Sequence, residues 1–148
     1  MFPEVVRMPE KKTIERARKD AREGKARGTQ AGEYVREEME HIRKGKHGAA
    51  STKQAIAIGL AKARRAGVKL APPKAGRASE ATRKKARQDI KRAHSHKSVS
   101  KRQSAAREAA LKREPRSAAS HAALSRQAKS AARARRRRGE TSTRRKHR

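Results

Sequence analysis

Residues 71–148 carry only four large apolar side chains, Ile90, Val99, Leu111 and Leu124, spread over 78 positions. That is too few for a hydrophobic core, and without buried apolar surface nothing offsets the entropy of ordering a chain. Residues 30–70 differ. They hold nine such side chains: Tyr34, Val35, Met39, Ile42, Ile56, Ile58, Leu60, Val68 and Leu70. A core is therefore expected in 30–70 alone, and it is small enough to call for a partner or a second copy.

Charge sharpens this division. The chain has 44 Lys and Arg against 14 Asp and Glu, a formal net charge of +30. Residues 1–48 hold 13 basic and 9 acidic residues, net +4, and residues 49–148 hold 31 and 5, net +26. Leu, Ile, Val and Phe total 15 in 148 residues. That share is well below the roughly 20% under which a highly charged chain tends to be disordered. A single tight globule at +30 would repel itself. The expected fold is all-α: a small helical hairpin head, extended basic helices and disordered tails, without a large core.

Periodicity and capping signals place the helices. Lys11 to Glu23, ended by Gly24, has a thin stripe of Ile14, Ala17 and Ala21 and the helix-favouring pair Glu15–Lys19. Ala31, Val35, Met39 and Ile42 recur at helical spacing. With Thr29 as N-cap and Arg43, Lys44 and Gly45 as C-terminal signals, they predict a helix over 30–44. Glu33, Glu37, Glu38 and Glu40 then read as compensation of its dipole. Ser51 and Gln54 form a capping box for a third helix ending at Gly67, where Val68 supplies the contact that follows a C′ glycine. The short Gly45–Gly48 turn makes the second and third helices an antiparallel hairpin. Pro72-Pro73 ends it. Beyond lie a helix capped by Ser79 and running to about His94, one capped by Ser100 with Gln103 and limited by Pro115, and one from Ser117 towards Arg137. The expected divisions are 1–28, a charged segment with one short helix; 29–70, the hairpin core; 71–78, a Pro/Gly linker; and 79–148, a basic helical or disordered tail. A degenerate repeat runs through the tail: Ser104-Ala-Ala-Arg-Glu-Ala-Ala-Leu-Lys-Arg113 is matched 13 residues later by Ser117-Ala-Ala-Ser-His-Ala-Ala-Leu-Ser-Arg126, and Ser130-Ala-Ala-Arg133 begins a third copy.

Three stretches carry a family likeness: Thr29-Gln-Ala-Gly-Glu-Tyr-Val-Arg-Glu-Glu38, then Gly45-Lys-His-Gly48, then Ser51-Thr-Lys-Gln-Ala-Ile-Ala-Ile-Gly-Leu60 with Lys62-Ala-Arg-Arg-Ala-Gly-Val68. Over roughly residues 9–70 the chain resembles a family of short, strongly basic bacterial proteins of uncharacterised function, some labelled plasmid stabilization protein. Ser117 to Arg126 is similar to a stretch of its longer members. The resemblance brings no catalytic residues to carry over, and nothing in the chain resembles a toxin's nuclease site.

Little in the sequence points to catalysis. Cysteine is absent, which removes disulfides, thiolate metal sites and a cysteine nucleophile. The first ten residues do not read as a secretory leader, and the longest apolar run, Ala55 to Ala61, is too short to span a membrane. His94-Ser95-His96 lacks the accompanying ligands a zinc site needs, and His41, beside Ile42, reads as a surface residue. Gly45-Lys46-His47-Gly48 lacks the spacing of a phosphate loop and reads as a helix–helix turn. No nucleophile is paired with a base. The expectation is a non-enzymatic protein with no cofactor, metal, small-molecule substrate or membrane insertion, residing in the cytoplasm at the nucleoid.

The basic residues are a stronger signal because their excess extends over 100 positions. Each phosphate neutralised releases condensed counter-ions, which gives affinity without sequence reading. With one Tyr and one Phe, base stacking on single strands is scarcely available. The expected contacts are Lys62, Arg64 and Arg65 in the head; Lys84, Lys85, Arg87, Lys91, Arg92, Lys101 and Arg102 in the middle; and Arg133, Arg135, Arg136, Arg137, Arg138, Arg144, Arg145, Lys146 and Arg148 at the end. The partner expected is nucleic acid, DNA before RNA, bound in a chromatin-like or plasmid-maintenance role. The alternatives are an RNA- or ribosome-associated protein and a helical hairpin module that recognises a protein; self-association through residues 30–70 is a further expected contact. A membrane-surface role is disfavoured because Trp is absent and the later helices lack a broad apolar face.

Overall fold

The computed structural model describes residues 9–95 and 100–146, with side chains described as far as Gly139. Among them are six α-helices: α1 (Lys11–Arg22), α2 (Arg27–Arg43), α3 (Thr52–Arg65), α4 (Glu80–Ala93), α5 (Lys101–Lys112) and α6 (His121–Lys146). A 3-10 turn at Ser117–Ala119 precedes α6, and there is no β-strand among the described residues. The fold is all-helical. No described helix is long and apolar enough to cross a membrane.

Local chemistry sets most of the ends. The Ser51, Ser79 and Ser100 hydroxyls accept from the Gln54, Thr82 and Gln103 amides, capping α3, α4 and α5 as expected. Gly67 has φ +99°, and the Val68 amide reaches back to the Ala63 carbonyl at 3.0 Å, closing α3 as a Schellman turn. Three boundaries differ from expectation, one of them the end of α6, which runs to Lys146 rather than Arg137. Helix α2 begins at Arg27 behind Ala26, without a side-chain cap, so Thr29 lies inside it. Helix α6 begins at His121, where the Ser120 hydroxyl accepts from the Ala123 amide; Ser117 starts the 3-10 turn instead.

Helices α2 and α3 pack on each other in opposite senses. Ala31 and Tyr34 meet Ala63 and Leu60 at one end, and Met39 and Ile42 meet Ala55 and Ile56 at the other. Where they cross, a Cβ on Gly59 would lie 2.6 Å from the Val35 Cα, so the approach requires glycine. Helix α1 lays Ala17 on the first cluster. Ile58 half-lines a groove with Leu111 and Ala86 rather than the α2 interface.

The division between a head with a core and a coreless tail needs correction. Ala118, Ala119 and Leu124 join the cluster built on Met39 and Ile42. The backbone carbonyls of the segment before α6, and that of Leu111, bind this stretch to α2, α3 and the turn between them. Thr52 Oγ1 donates to the Ala118 carbonyl at 2.7 Å, Arg43 Nε donates to the Ala119 carbonyl at 2.9 Å, and the Gly48 amide donates to the Leu111 carbonyl at 2.9 Å. A Cβ on Gly48 would collide with the Glu114 carbonyl. Helix α4 packs on α3 through Ala86, which is buried. Counting large apolar side chains overlooked alanines and backbone carbonyls, which need little volume to dock closely.

Candidate functional site

Two assemblies of charge stand out, one buried between α2 and α3 and one along α6.

The inner assembly gathers Glu37, Glu38 and His41 from α2, His47 from the turn after it, Lys62 from α3 and Glu10 from before α1. Five of the six are buried; Glu38 and His41 are each 1% exposed. The cause is helical spacing. Glu38 and His41, three apart on α2, share the face that meets α3, while Glu37 and His41, four apart, look towards α1. Glu38 Oε2 lies 3.0 Å from His47 Nε2, and Glu38 Oε1 lies 3.9 Å from His41 Nδ1. Lys62 Nζ presses against Glu38 Oε1 and stands 3.8 Å from Glu37 Oε1. On the outer side, His41 Nε2 is 2.9 Å from Glu10 Oε1, and His47 Nδ1 is 2.9 Å from the Gly48 carbonyl.

These contacts shift the protonation of several groups. Burial pushes Glu38 upward, but His47 and Lys62 beside it outweigh burial and hold it below the ordinary carboxylate value. The Glu38 carboxylate in turn raises His47, against burial and with help from the Gly48 carbonyl. Glu10 is lowered, chiefly by His41.

The arrangement corrects three expectations. His41 is an interior residue. Glu37 and Glu38 sit well inside α2, which begins ten residues before Glu37, so they do not serve its N-terminal dipole. Lys62, expected on a nucleic-acid surface, is 4% exposed and neutralised by two carboxylates. Arg64 is buried too, and donates to the Leu70 and Ala71 carbonyls. Arg65 is half-buried beside Asp89. The sequence did carry a signal: Glu38-x-x-His41, with His47 six positions on, sits on the apolar stripe of α2, and polar residues on such a stripe are buried with partners or not at all.

The outer assembly lies along α6. From His121 to Gly139 the helix carries seven Lys and Arg and no acid. Arg126, Lys129, Arg133 and Arg137 line one shallow face, at spacings of three, four and four that keep them together. Arg126, Lys129, Arg133, Arg135 and Arg136 are exposed and make no ion pair with a described residue. Among the other expected contacts, Lys84, Lys85, Lys91, Arg92, Lys101 and Arg102 are exposed, and Arg87 is occupied by Glu80 at 2.8 Å. Arg138 is exposed on α6. Arg144, Arg145 and Lys146 lie on the last turns of α6, where side chains are not described, and Arg148 lies outside the described residues. At about 1.5 Å per residue, the 26 residues of α6 extend this basic rod to nearly 40 Å. No protein-family model, curated protein or solved structure matches this chain.

Proposed function

We propose that the chain binds nucleic acid without reading its sequence, DNA before RNA, as a chromatin-like or plasmid-maintenance accessory protein without enzymatic activity. The observation that supports this most is the acid-free face of α6, with exposed cations at Arg126, Lys129 and Arg133 and more at Arg135 and Arg136. A row of cations one helical turn apart suits the regular phosphates of a duplex backbone, and phosphate contacts position a protein without specifying bases. In this reading α2 and α3 form a compact hairpin head, and docking of Ala118 and Ala119 fixes the root of α6 to it. Exposed cations on α4 and α5 add further phosphate contacts. Long-range attraction to a polyanion also speeds association.

Titration of the full chain against two unrelated duplexes and a structured RNA, at several salt concentrations, tests the proposal. Expected are equal affinities for the two duplexes and a log–log salt slope of about −0.9 per phosphate contacted. A salt-independent affinity, or binding to one duplex alone, contradicts it. Recovery of the protein from cells with RNase or DNase then separates the two polymers: release by RNase only would favour the ribosome-associated alternative.

A further inference from the structure

The inner assembly has a pattern that ion pairing alone leaves unexplained. Glu38 Oε1, Glu38 Oε2, His41 Nδ1 and His47 Nε2 are buried side by side; none completes a hydrogen bond, and their contacts are the charge approaches of Lys62 to Glu38 Oε1 and of His47 to Glu38 Oε2. Glu38 Oε2 and His47 Nε2 stand 3.0 Å apart. All three residues are buried, and one ligand atom from each lies within 4.8 Å of the others.

The opposite nitrogens of both rings are held from behind. A carbonyl oxygen can only accept, so His47 Nδ1 carries a proton and donates to Gly48. An ionised carboxylate likewise accepts from His41 Nε2–H at Glu10. In the neutral rings, His41 Nδ1 and His47 Nε2 therefore present lone pairs inward. A metal-bound histidine is arranged in this way, its outer N–H fixed by a carbonyl or carboxylate that orients the ring and raises its basicity.

We infer that Glu38, His41 and His47 form a binding site for a divalent transition-metal ion of the zinc class. Two imidazoles and one carboxylate suit Zn2+ and its neighbours better than Mg2+ or Ca2+, which prefer all-oxygen shells. Tetrahedral zinc, with bonds of about 2.0–2.2 Å, sets its ligand atoms roughly 3.3 Å apart. The distances of 3.0 Å and 3.9 Å from the two Glu38 oxygens to the two rings bracket that value. The three residues supply three donors, one carboxylate oxygen and two ring nitrogens, and leave the fourth tetrahedral position open, as in an open zinc site.

Lys62 is the competitor. Its ammonium holds Glu38 Oε1 when no metal is bound, and Glu37 stands 3.8 Å away to receive it when the ion takes Glu38. Binding displaces any proton from the two inner nitrogens. The neighbouring group of Glu10, Glu37 and His41 is a weaker choice. It has one imidazole, and its His41 Nε2 is already bonded to Glu10.

The test uses nucleic-acid-free, chelator-treated full-length protein titrated with Zn2+ by calorimetry at pH 7, and with Co2+ followed by visible absorption. Expected are one ion per chain and the intense spectrum of tetrahedral cobalt. His47→Gln removes a ligand that belongs to this triad alone, and should weaken binding at least 100-fold. Glu10→Gln, at a half-exposed residue, should leave the fold intact and weaken binding about 10-fold, as loss of a ring-orienting partner does. Lys62→Met should tighten binding, and Zn2+ should raise its melting temperature more than that of the unaltered chain. Absence of stoichiometric Zn2+ binding overturns the inference. So does binding unchanged by His47→Gln, which would place the ion elsewhere, or a Lys62→Met variant that Zn2+ does not stabilise.

Discussion

Lys62 and Lys129 are the same residue type on two helices of one chain, and their surroundings give them opposite work. Lys62 is buried among Glu37, Glu38 and two histidines. Lys129 is exposed on a face whose neighbours are Arg126 and Arg133. On α2 four Glu outnumber three Arg, so a cation from α3 is absorbed into the interior and fixes how α2 meets α3. On α6 no acid occurs before Glu140, so cations stay on the surface, and their repulsion is relieved by a polyanion. The difference shows that local acid supply, more than basic residue count, decides which cations are available to a partner.

The comparison breaks most visibly at Lys62. In metal-free protein, Lys62→Met strands the Glu38 carboxylate in the interior, and the expected loss is about 3–5 kcal/mol of stability. Lys129→Met should stay within about 0.5 kcal/mol. Denaturant unfolding of both variants checks this, and equal losses would mean that Lys62 is not the interior counter-ion the geometry makes it.

Packing supplies the next test. Gly59→Val drives side-chain atoms into the α2 backbone at Val35, and about 3 kcal/mol of destabilisation is expected from such overpacking. Gly139→Ala on α6, where a Cβ meets nothing within 4 Å, should be neutral or slightly stabilising. Thermal melts of the two separate a head held by close contact from a helix that needs none.

The converse experiment acts on α6. Replacing Arg126, Lys129 and Arg133 together by Gln should flatten the salt slope of duplex binding by about 2.7 and leave the melting temperature unchanged. Between 50 and 200 mM salt the affinity lost on that account changes by roughly 40-fold. An unaltered slope would move the phosphate contacts to α4 and α5.

The smallest effect is at the caps. Ser51→Ala removes the acceptor for the Gln54 amide at the start of α3, for about 1 kcal/mol. Ser100→Ala at α5 should cost global stability less, because α5 packs more sparsely on the rest and its fraying can remain local. Hydrogen exchange at the first turns of α3 and α5 distinguishes the two.

The sequence alone determined what local rules govern. Helical periodicity with serine caps and glycine stops located α1 to α5 to within about three residues, because caps and Schellman turns act between neighbours in the chain, while α6 starts four residues later and ends nine residues later than expected. The surplus of cations on α6 was equally legible, since no arrangement of a chain with so few acids can neutralise them. Tertiary structure decided the rest. Ser104-Ala-Ala and Ser117-Ala-Ala share a sequence, yet the first lies within α5 with Ala105 and Ala106 exposed, while the second is a 3-10 turn with Ala118 and Ala119 buried on Met39 and Ile42. Pro115 and the room left by Gly48 separate the two fates, and that room exists only once α2 and α3 have met. Glu38, His41, His47 and Lys62 show the same limit. The apolar stripe of α2 marks Glu38 and His41 for burial, but nothing local says that the partner closing on them is a lysine 24 residues away. Burial is a property of two surfaces, and each helix carries only one of them.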